Sequence, residues 1–369
     1  MKMGIFHVRD DGLRLLRQFS RDYAIRTYND GLFSDIEQEK WIQAFVAGCK
    51  EMKDLMGEID AVSLSGTTPG LTPMDKEGNA LLPAILMLDQ RSRKQAQTII
   101  KTIGLKSLLE TTGNMPVAGG CSLAGILWIK ENYPEVFKKT RVFGHSNTYV
   151  ARWLTGNFAI DPSSASLTAL YNTVRNDRTW NKEIADTFDL SVDRLPRILP
   201  SYESAGRVRN SIAAELDLKR APPVVIGGND AVLAAYSVGI ENPGDIINVN
   251  GTCEITLVCI PRCLSSTRYN VRAHVLPERW LTLYVMNAGG KALEWFRNLF
   301  CSEMEADEFY RRFLTKAIDS WLERDSGVTY VPYLMGSRYS LKPLKGELLG
   351  LTHETSREEI LAAIVRGLC

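Results

Sequence analysis

The chain has 369 residues, 45% of them hydrophobic and 24% charged, with a formal net charge of +1. That balance fits an ordinary soluble globular protein long enough for two domains. It supplies no basic footprint for nucleic acid or an anionic membrane. No apolar run approaches the length that crosses a bilayer, and the N-terminus MKMGIFHVRDDG has no secretory apolar core. None of the seven cysteines has C-x-x-C spacing. Cys253, Cys259 and Cys263 with His274 lie in a β-rich apolar stretch that favours buried thiols over metal ligands. A reduced, cytoplasmic protein is expected, with no nucleic-acid or membrane partner.

In chain order, residues 1–28 read as two or three strands, with Asp10-Asp11-Gly12 as a hairpin turn. Ile36 to Met56 has the apolar spacing of an amphipathic helix. Ile59 to Ser65 is a strand broken by Gly66-Thr67-Thr68-Pro69-Gly70, and 71–78 reads as a short hairpin. Pro83 to Leu88 leads into Asp89-Gln90-Arg91, followed by a helical stretch over 92–112. A second amphipathic helix is expected over Ser122 to Lys138 with Pro134 marking a turn, a third over Asn147 to Leu154 stopped by Gly156, and a short one over Trp180 to Phe188. The Pro-rich segment 216–223 is the best domain boundary, giving domains 1–220 and 221–369. Further on, Leu281 to Met286 is a strand, Lys291 to Phe300 a helix, Val328 to Leu334 a strand, Gly336-Ser337-Arg338 a turn and Ser356 to Leu368 a helix. Both halves mix hairpins with helices, as a duplicated domain would.

The chemistry is concentrated in Val224 to Val258. An apolar run ends in Gly227-Gly228-Asn229-Asp230, a small-residue helix follows, and a hairpin turns at Gly251-Thr252. Glycines at a strand exit let backbone approach a ligand and put Asp230 at the mouth of the sheet, where a carboxylate can take a hydroxyl proton. The amides of a Gly-Thr turn can cradle phosphate oxygens. A base and a phosphate cradle together suggest phosphoryl transfer to an alcohol. The competing reading is a plain helix cap at Asp230.

Four ordered blocks then resemble the FGGY carbohydrate kinases. Leu64-Ser65-Gly66 through Asp89-Gln90-Arg91 is similar to the family's strand, substrate loop and Trp-x-Asp-x-Arg segment. Leu154-Thr155-Gly156 through Asp161-Pro162-Ser163-Ser164-Ala165-Ser166 is similar to its Thr-Asp-x-x-x-Ala-Ser block. Gly227-Gly228-Asn229-Asp230 with Gly251-Thr252-Cys253 resembles the catalytic Asp and the phosphate-loop Gly-Thr-Ser, and 346–365 resembles the C-terminal signature. Within the family, xylulose kinase-type members look nearest. The resemblance implies an α/β fold of two actin-like (ribonuclease H-like) domains with an interdomain cleft, sugar mainly on the first and nucleotide on the second. It implies ATP and Mg2+ as cofactors and Asp230 as the base. Gly66, Thr67, Thr68, Asp89, Asn229 and Asp230 would lie against the sugar, and Gly251, Thr252, Gly289 and Gly290 against the nucleotide. For Asp89, a salt bridge to Arg91 or Arg93 is the competing reading. The expected partner is a small-molecule sugar, with a homodimer left open.

Departures from the pattern shape the expectation as much. Met1 to Phe6 resembles the second strand of the family's first hairpin, so the first strand and its Asp-x-Gly-Thr-Thr loop are expected to be missing. The chain stops at Cys369 inside a helix, where the family continues. An incomplete chain that turns over ATP poorly is therefore expected. Thr67-Thr68-Pro69-Gly70 replaces the usual Gln-Met-His-Gly, Met87 the usual Trp and Gly125 the usual Lys, so the sugar specificity should differ. The alternative is a non-catalytic sugar-binding or regulatory relative.

Overall fold

The computed structural model describes residues 1–10, 12–324, 326–337, 339–340 and 344–369. Asp11 of the first expected turn and Arg338 of the later one lie outside those residues. Helices and strands intermingle along the chain, an α/β organisation. It packs as two units, Met1–Pro243 with Cys259–Leu281, and Gly244–Val258 with Thr282–Cys369. Residues 221–243, Asp230 among them, therefore pack with the first unit.

In the first unit, Lys2–Arg9 and Gly12–Ser20 form an antiparallel hairpin with a register shift between Ile5 and Phe6. A five-stranded sheet follows in the order Arg26–Tyr28, Phe33–Ile36, Ala84–Leu86, Gly70–Met74, Val142–Gly144. A three-stranded sheet sets Pro223–Asn229 between Ser204–Arg207 and Val62–Gly66. The helix Glu39–Glu51 buries Trp41, Ile42, Phe45 and Cys49, and the helix Ser146–Thr155 buries Tyr149, Val150, Ala151 and Leu154. These meet Leu64, Val224 and Ile226 in one core. Each large apolar side chain so buried contributes about 1.5–3 kcal/mol.

The expected helix over Ile36 to Met56 begins only at Glu39, because Ile36 ends a strand paired with Ala84. The stretch 92–112 is interrupted at Gly104, giving helices Arg93–Ile103 and Leu105–Thr112. The stretch 122–138 splits into Ser122–Asn132 and Pro134–Lys139. Proline has no N–H to continue the first helix and is well suited to start the second.

In the second unit, Ile246–Asn250 and Glu254–Ile260 pair as an antiparallel hairpin closed at Asn250 opposite Glu254. The helix Gly290–Phe300 follows the strand Trp280–Met286, and Thr329–Val331 pairs with Glu347–Leu349. Phe296, Phe309, Ala317, Tyr330, Leu361 and Ile364 form a core of their own, with the helix Arg357–Leu368 contributing the last two.

Candidate active site

The first part of the site follows from the parallel pairing of Val62–Gly66 with Pro223–Asn229, which puts Ser65 beside Gly228 and Gly66 beside Asn229. Thr67 and Asp230 thus leave the sheet side by side, at the carboxyl ends of neighbouring parallel strands where α/β sheets gather ligands. The approach is close. Gly227 has φ +63°, and a Cβ there would lie 1.7 Å from the Leu64 carbonyl oxygen. Only glycine fits such a point, and the ladder shifts register between Val225 and Gly228.

Asn229, fully buried, ties this corner together. Its Oδ1 accepts from the amides of Ala231 and Val232 at 3.1 and 3.2 Å, capping the helix Asp230–Ser237. Such a cap is worth about 1 kcal/mol. Its Nδ2 donates to Thr68 Oγ1 at 2.7 Å and Asp230 Oδ1 at 2.9 Å, and its amide donates to Ser163 Oγ at 2.9 Å. Asp230 is exposed, and its Oδ2 accepts from Thr67 Oγ1 at 3.1 Å. Ser146 Oγ holds the Thr67 carbonyl at 3.0 Å, and Asn147 Nδ2 holds that of Gly228 at 3.1 Å. Gly66, Thr67, Thr68, Asn229 and Asp230 are therefore brought together in one hydrogen-bonded corner.

Ser146 and Asn147 were not singled out from the sequence, and Ser163 entered only within the 161–166 block, without a site role. Ser163 belongs to the turn Asp161-Pro162-Ser163-Ser164, whose Asp161 Oδ2 accepts from the Ser163 and Ser164 amides at 2.8 and 3.1 Å. Asp-Pro-Ser-Ser is a legible helix-start signal, but nothing local says that it sits under Asn229. Burial pushes the Asp161 carboxyl up, against the opposing hydrogen bonds from Ser163 and Ser164.

Asp89 is placed differently. It is fully buried, its Oδ2 accepting from the Ser34 amide at 2.7 Å and Arg91 Nε at 2.8 Å, its Oδ1 from the Arg91 amide at 2.9 Å. The salt bridge to Arg91 thus forms. Arg91 also bonds Asp35 Oδ2 at 2.9 Å and lies 4.3 Å from the Phe33 ring centroid and 5.1 Å from that of Trp128. Burial raises the Asp89 carboxyl, and the Ser34 and Arg91 hydrogen bonds offset only part of that. At Asp35 burial also pushes upward, but the bonds from Tyr28, Arg91 and Arg26 outweigh it and hold this carboxyl below its usual range.

The second unit brings together Gly251, Thr252, Gly289 and Gly290. The Gly290 amide donates to the Gly251 carbonyl at 2.8 Å, and the Gly289 and Lys291 amides to that of Thr252 at 3.0 and 3.4 Å. The exposed Gly251-Thr252 turn is seated on the start of the helix Gly290–Phe300. The Gly251 amide is itself taken by the Cys253 carbonyl at 3.0 Å. Of the two residues, Thr252 keeps an amide with no acceptor among the described residues.

Elsewhere, His274 uses one ring nitrogen on the Ile240 carbonyl and the other on the Leu276 amide, each at 2.9 Å. No cysteine among the described residues is in a disulfide. Among the described residues, no helix is long and apolar enough to cross a membrane, and no cluster of three His, Cys, Asp or Glu could hold a metal ion.

The chain is thus α/β in two units, with an exposed carboxylate at a strand end in one and a Gly-Thr turn on a helix start in the other. Residues 14–237 match the family model described as the FGGY family of carbohydrate kinases, N-terminal domain. The chain belongs to that family, and its chemistry is ATP-dependent phosphorylation of a sugar. A xylulose kinase of Lactococcus lactis is 28% identical over 366 residues, covering 97% of this chain and 71% of its own length. Among solved structures, a xylulose kinase from Rhodospirillum rubrum aligns with TM-score 0.86 at 22% identity, over 96% of this chain and 72% of its own. A gluconate kinase from Lactobacillus acidophilus gives TM-score 0.85 at 20% identity, over 96% of this chain and 71% of its own. The fold is that of the two-domain, actin-like sugar kinases.

Proposed function

We propose that the chain phosphorylates a small sugar or polyol of the xylulose class, with Asp230 as general base. One observation carries this reading: Asp230 stands exposed at the start of its helix, fixed by Asn229 and Thr67, with room on Oδ2 for a substrate hydroxyl. In the step, the sugar hydroxyl loses its proton to Asp230. Its oxygen bonds to the γ-phosphorus, and the bond from that phosphorus to the bridging oxygen breaks, ADP leaving with the electron pair. Positioning and charge neutralisation supply most of the acceleration in such transfers. Gly66, Thr67, Thr68 and Asn229 would line the sugar side. Asp89, with both oxygens engaged, would support the segment beneath it.

The nucleotide falls to the second unit in this reading. Gly251, Thr252, Gly289 and Gly290 would meet its phosphates, with the Thr252 amide as donor. Mg2+ would arrive on the phosphates, and Asp230 is the exposed carboxylate of the corner that could face it. A cytoplasmic setting suits an ATP-consuming chain with no disulfide among its described residues, and a homodimer remains the proposed assembly. The xylulose class rests on the names of relatives alone; the replaced loop Thr67-Thr68-Pro69-Gly70 points away from it, which is why other acceptors enter the test.

The test is sugar-dependent ADP release from MgATP with D-xylulose, D-gluconate, glycerol and D-ribulose. D-xylulose should give the highest kcat/KM. Equal or greater turnover of gluconate or glycerol would overturn the sugar class, and no sugar-dependent release from any of the four would overturn catalysis.

A further inference from the structure

We infer that Thr67 is a positioning residue for phosphoryl transfer: its hydroxyl sets the Asp230 carboxylate so that one lone pair of Oδ2 is left to receive the sugar proton. The inference rests on reading Asp230 as the base. An ionised carboxylate has about four acceptor sites, two on each oxygen. On Asp230 Oδ1 both are taken, by Asn229 Nδ2 at 2.9 Å and by the Ala231 amide at 2.8 Å, which is shared with Asn229 Oδ1 at 3.1 Å. On Oδ2 one is taken, by Thr67 Oγ1 at 3.1 Å. Among the described residues a single site therefore remains, and it is on Oδ2.

The geometry explains why a second anchor is needed. Both bonds to Oδ1 come from the first residues of the helix Asp230–Ser237 and its cap, so they fix one point of the carboxylate. Rotation of the group about that point would still swing Oδ2. Thr67 supplies the second point, from the neighbouring strand end 163 positions away in sequence. Both side chains are exposed, so packing holds neither of them in place. Thr67 is itself fixed: its carbonyl accepts from Ser146 Oγ at 3.0 Å, and a β-branched side chain has restricted χ1. The next residue repeats the device, since Thr68 Oγ1 takes the Asn229 amide group at 2.7 Å. The consecutive hydroxyls of this loop thus hold the base and its cap, one each.

The experiment compares Thr67→Val, Thr67→Ala and Thr67→Ser in the full protein, with saturating MgATP and the better acceptor of D-xylulose and D-gluconate. Loss of the anchor should lower kcat about tenfold to a hundredfold in the Val and Ala variants, the scale on which misplacement of a reacting group acts. Sugar Kd, measured by calorimetry without nucleotide, should change less than kcat does, because Thr67 also lines the sugar side but its contact with Asp230 acts on the transition state. Thr67→Ser keeps the donor and should restore most of kcat. An unchanged kcat in Val and Ala, a loss confined to sugar Kd, or a Ser variant as slow as Ala would each overturn the inference. Asp230→Asn is measured alongside: wild-type turnover there would sink the base assignment itself, whereas a dead Asp230→Asn with fully active Thr67 variants sinks only the role of Thr67.

Discussion

At the scale of single residues, the site divides into side chains that face solvent and side chains that hold them from below. Asp230 and Thr67 are exposed; Asn229, Thr68, Asp89 and Arg91 are buried or nearly so. The glycines and the Asp of Gly227-Gly228-Asn229-Asp230 were legible in the sequence, because a strand exit that needs glycine and an acid leaves a local mark. The supports were not, since Ser163, Ser146 and Asn147 come from segments that only the fold brings near. Asp89 lay between the two: sequence left a ligand and a salt bridge open, and the Arg91 pair formed at 2.8 Å. Arg91, with a side chain 6% exposed, faces two carboxylates, Asp89 and Asp35, at 0% and 2%. Removing one partner of a buried ionic group leaves charge without compensation, at a cost of about 3–5 kcal/mol. Arg91→Ala should therefore lower the urea unfolding free energy by about that amount, with Asp230 untouched. A loss under about 1 kcal/mol would mean that solvent or Arg26 already neutralises the pair.

At the scale of elements, apolar periodicity found most helices, and chain-breaking residues explain where their ends differ. The turn expected at Pro134 divides its helix in two, whereas Ile36 was claimed by a strand whose partner lies far along the chain. The run from Ala306 to Trp321 escaped the sequence reading because a π-helical turn over Phe309–Phe313 interrupts its 3.6-residue period. The two- to four-residue strands Arg197–Ile198 and Ser204–Arg207 are too short to show alternation. The helix Ser146–Thr155, whose first residues brace the Asp230 corner, begins after a buried histidine. His145 Nε2 meets Ser122 Oγ at 2.7 Å, and Nδ1 is buried with no hydrogen-bond partner among the described residues. Burial first, and the charge of Arg272 second, push this imidazole down to about 3. An unfolded histidine titrates near about 6.5. Above that pH both states are neutral and the shift costs nothing. As pH falls from there towards 3, the unfolded chain takes up a proton that the fold refuses, and stability drops by up to about 1.4 kcal/mol per pH unit. Urea midpoints at pH 7, 6 and 5 should fall more steeply for the wild type than for His145→Gln, by close to one proton. Parallel slopes would show that His145 is protonated in the folded chain.

At the scale of the whole molecule, the two units have separate cores. Residues such as Phe45, Leu64, Tyr149 and Val224 fill the first, and Phe296, Phe309, Tyr330 and Leu361 fill the second. The residues proposed to bind sugar all belong to the first unit, and the turn proposed to bind phosphate to the second. Each ligand should then stabilise its own unit. A ligand at a hundred times its Kd stabilises the state it binds by about 2.7 kcal/mol, which hydrogen exchange resolves peptide by peptide. D-xylulose should slow exchange in peptides covering 62–70 and 223–237. An ATP analogue that is not hydrolysed should slow it in 246–258 and 287–300. Gly290→Ala separates the two responses, because a Cβ at that position would lie 2.7 Å from the Gly251 carbonyl oxygen that the Gly290 amide now meets. The turn must shift to admit it. Nucleotide protection of 246–258 should be lost in this variant, while sugar protection of 223–237 survives. Sugar protection that appeared instead over 246–258, or a Gly290→Ala chain that kept full nucleotide protection, would place the phosphates away from the Gly251-Thr252 turn.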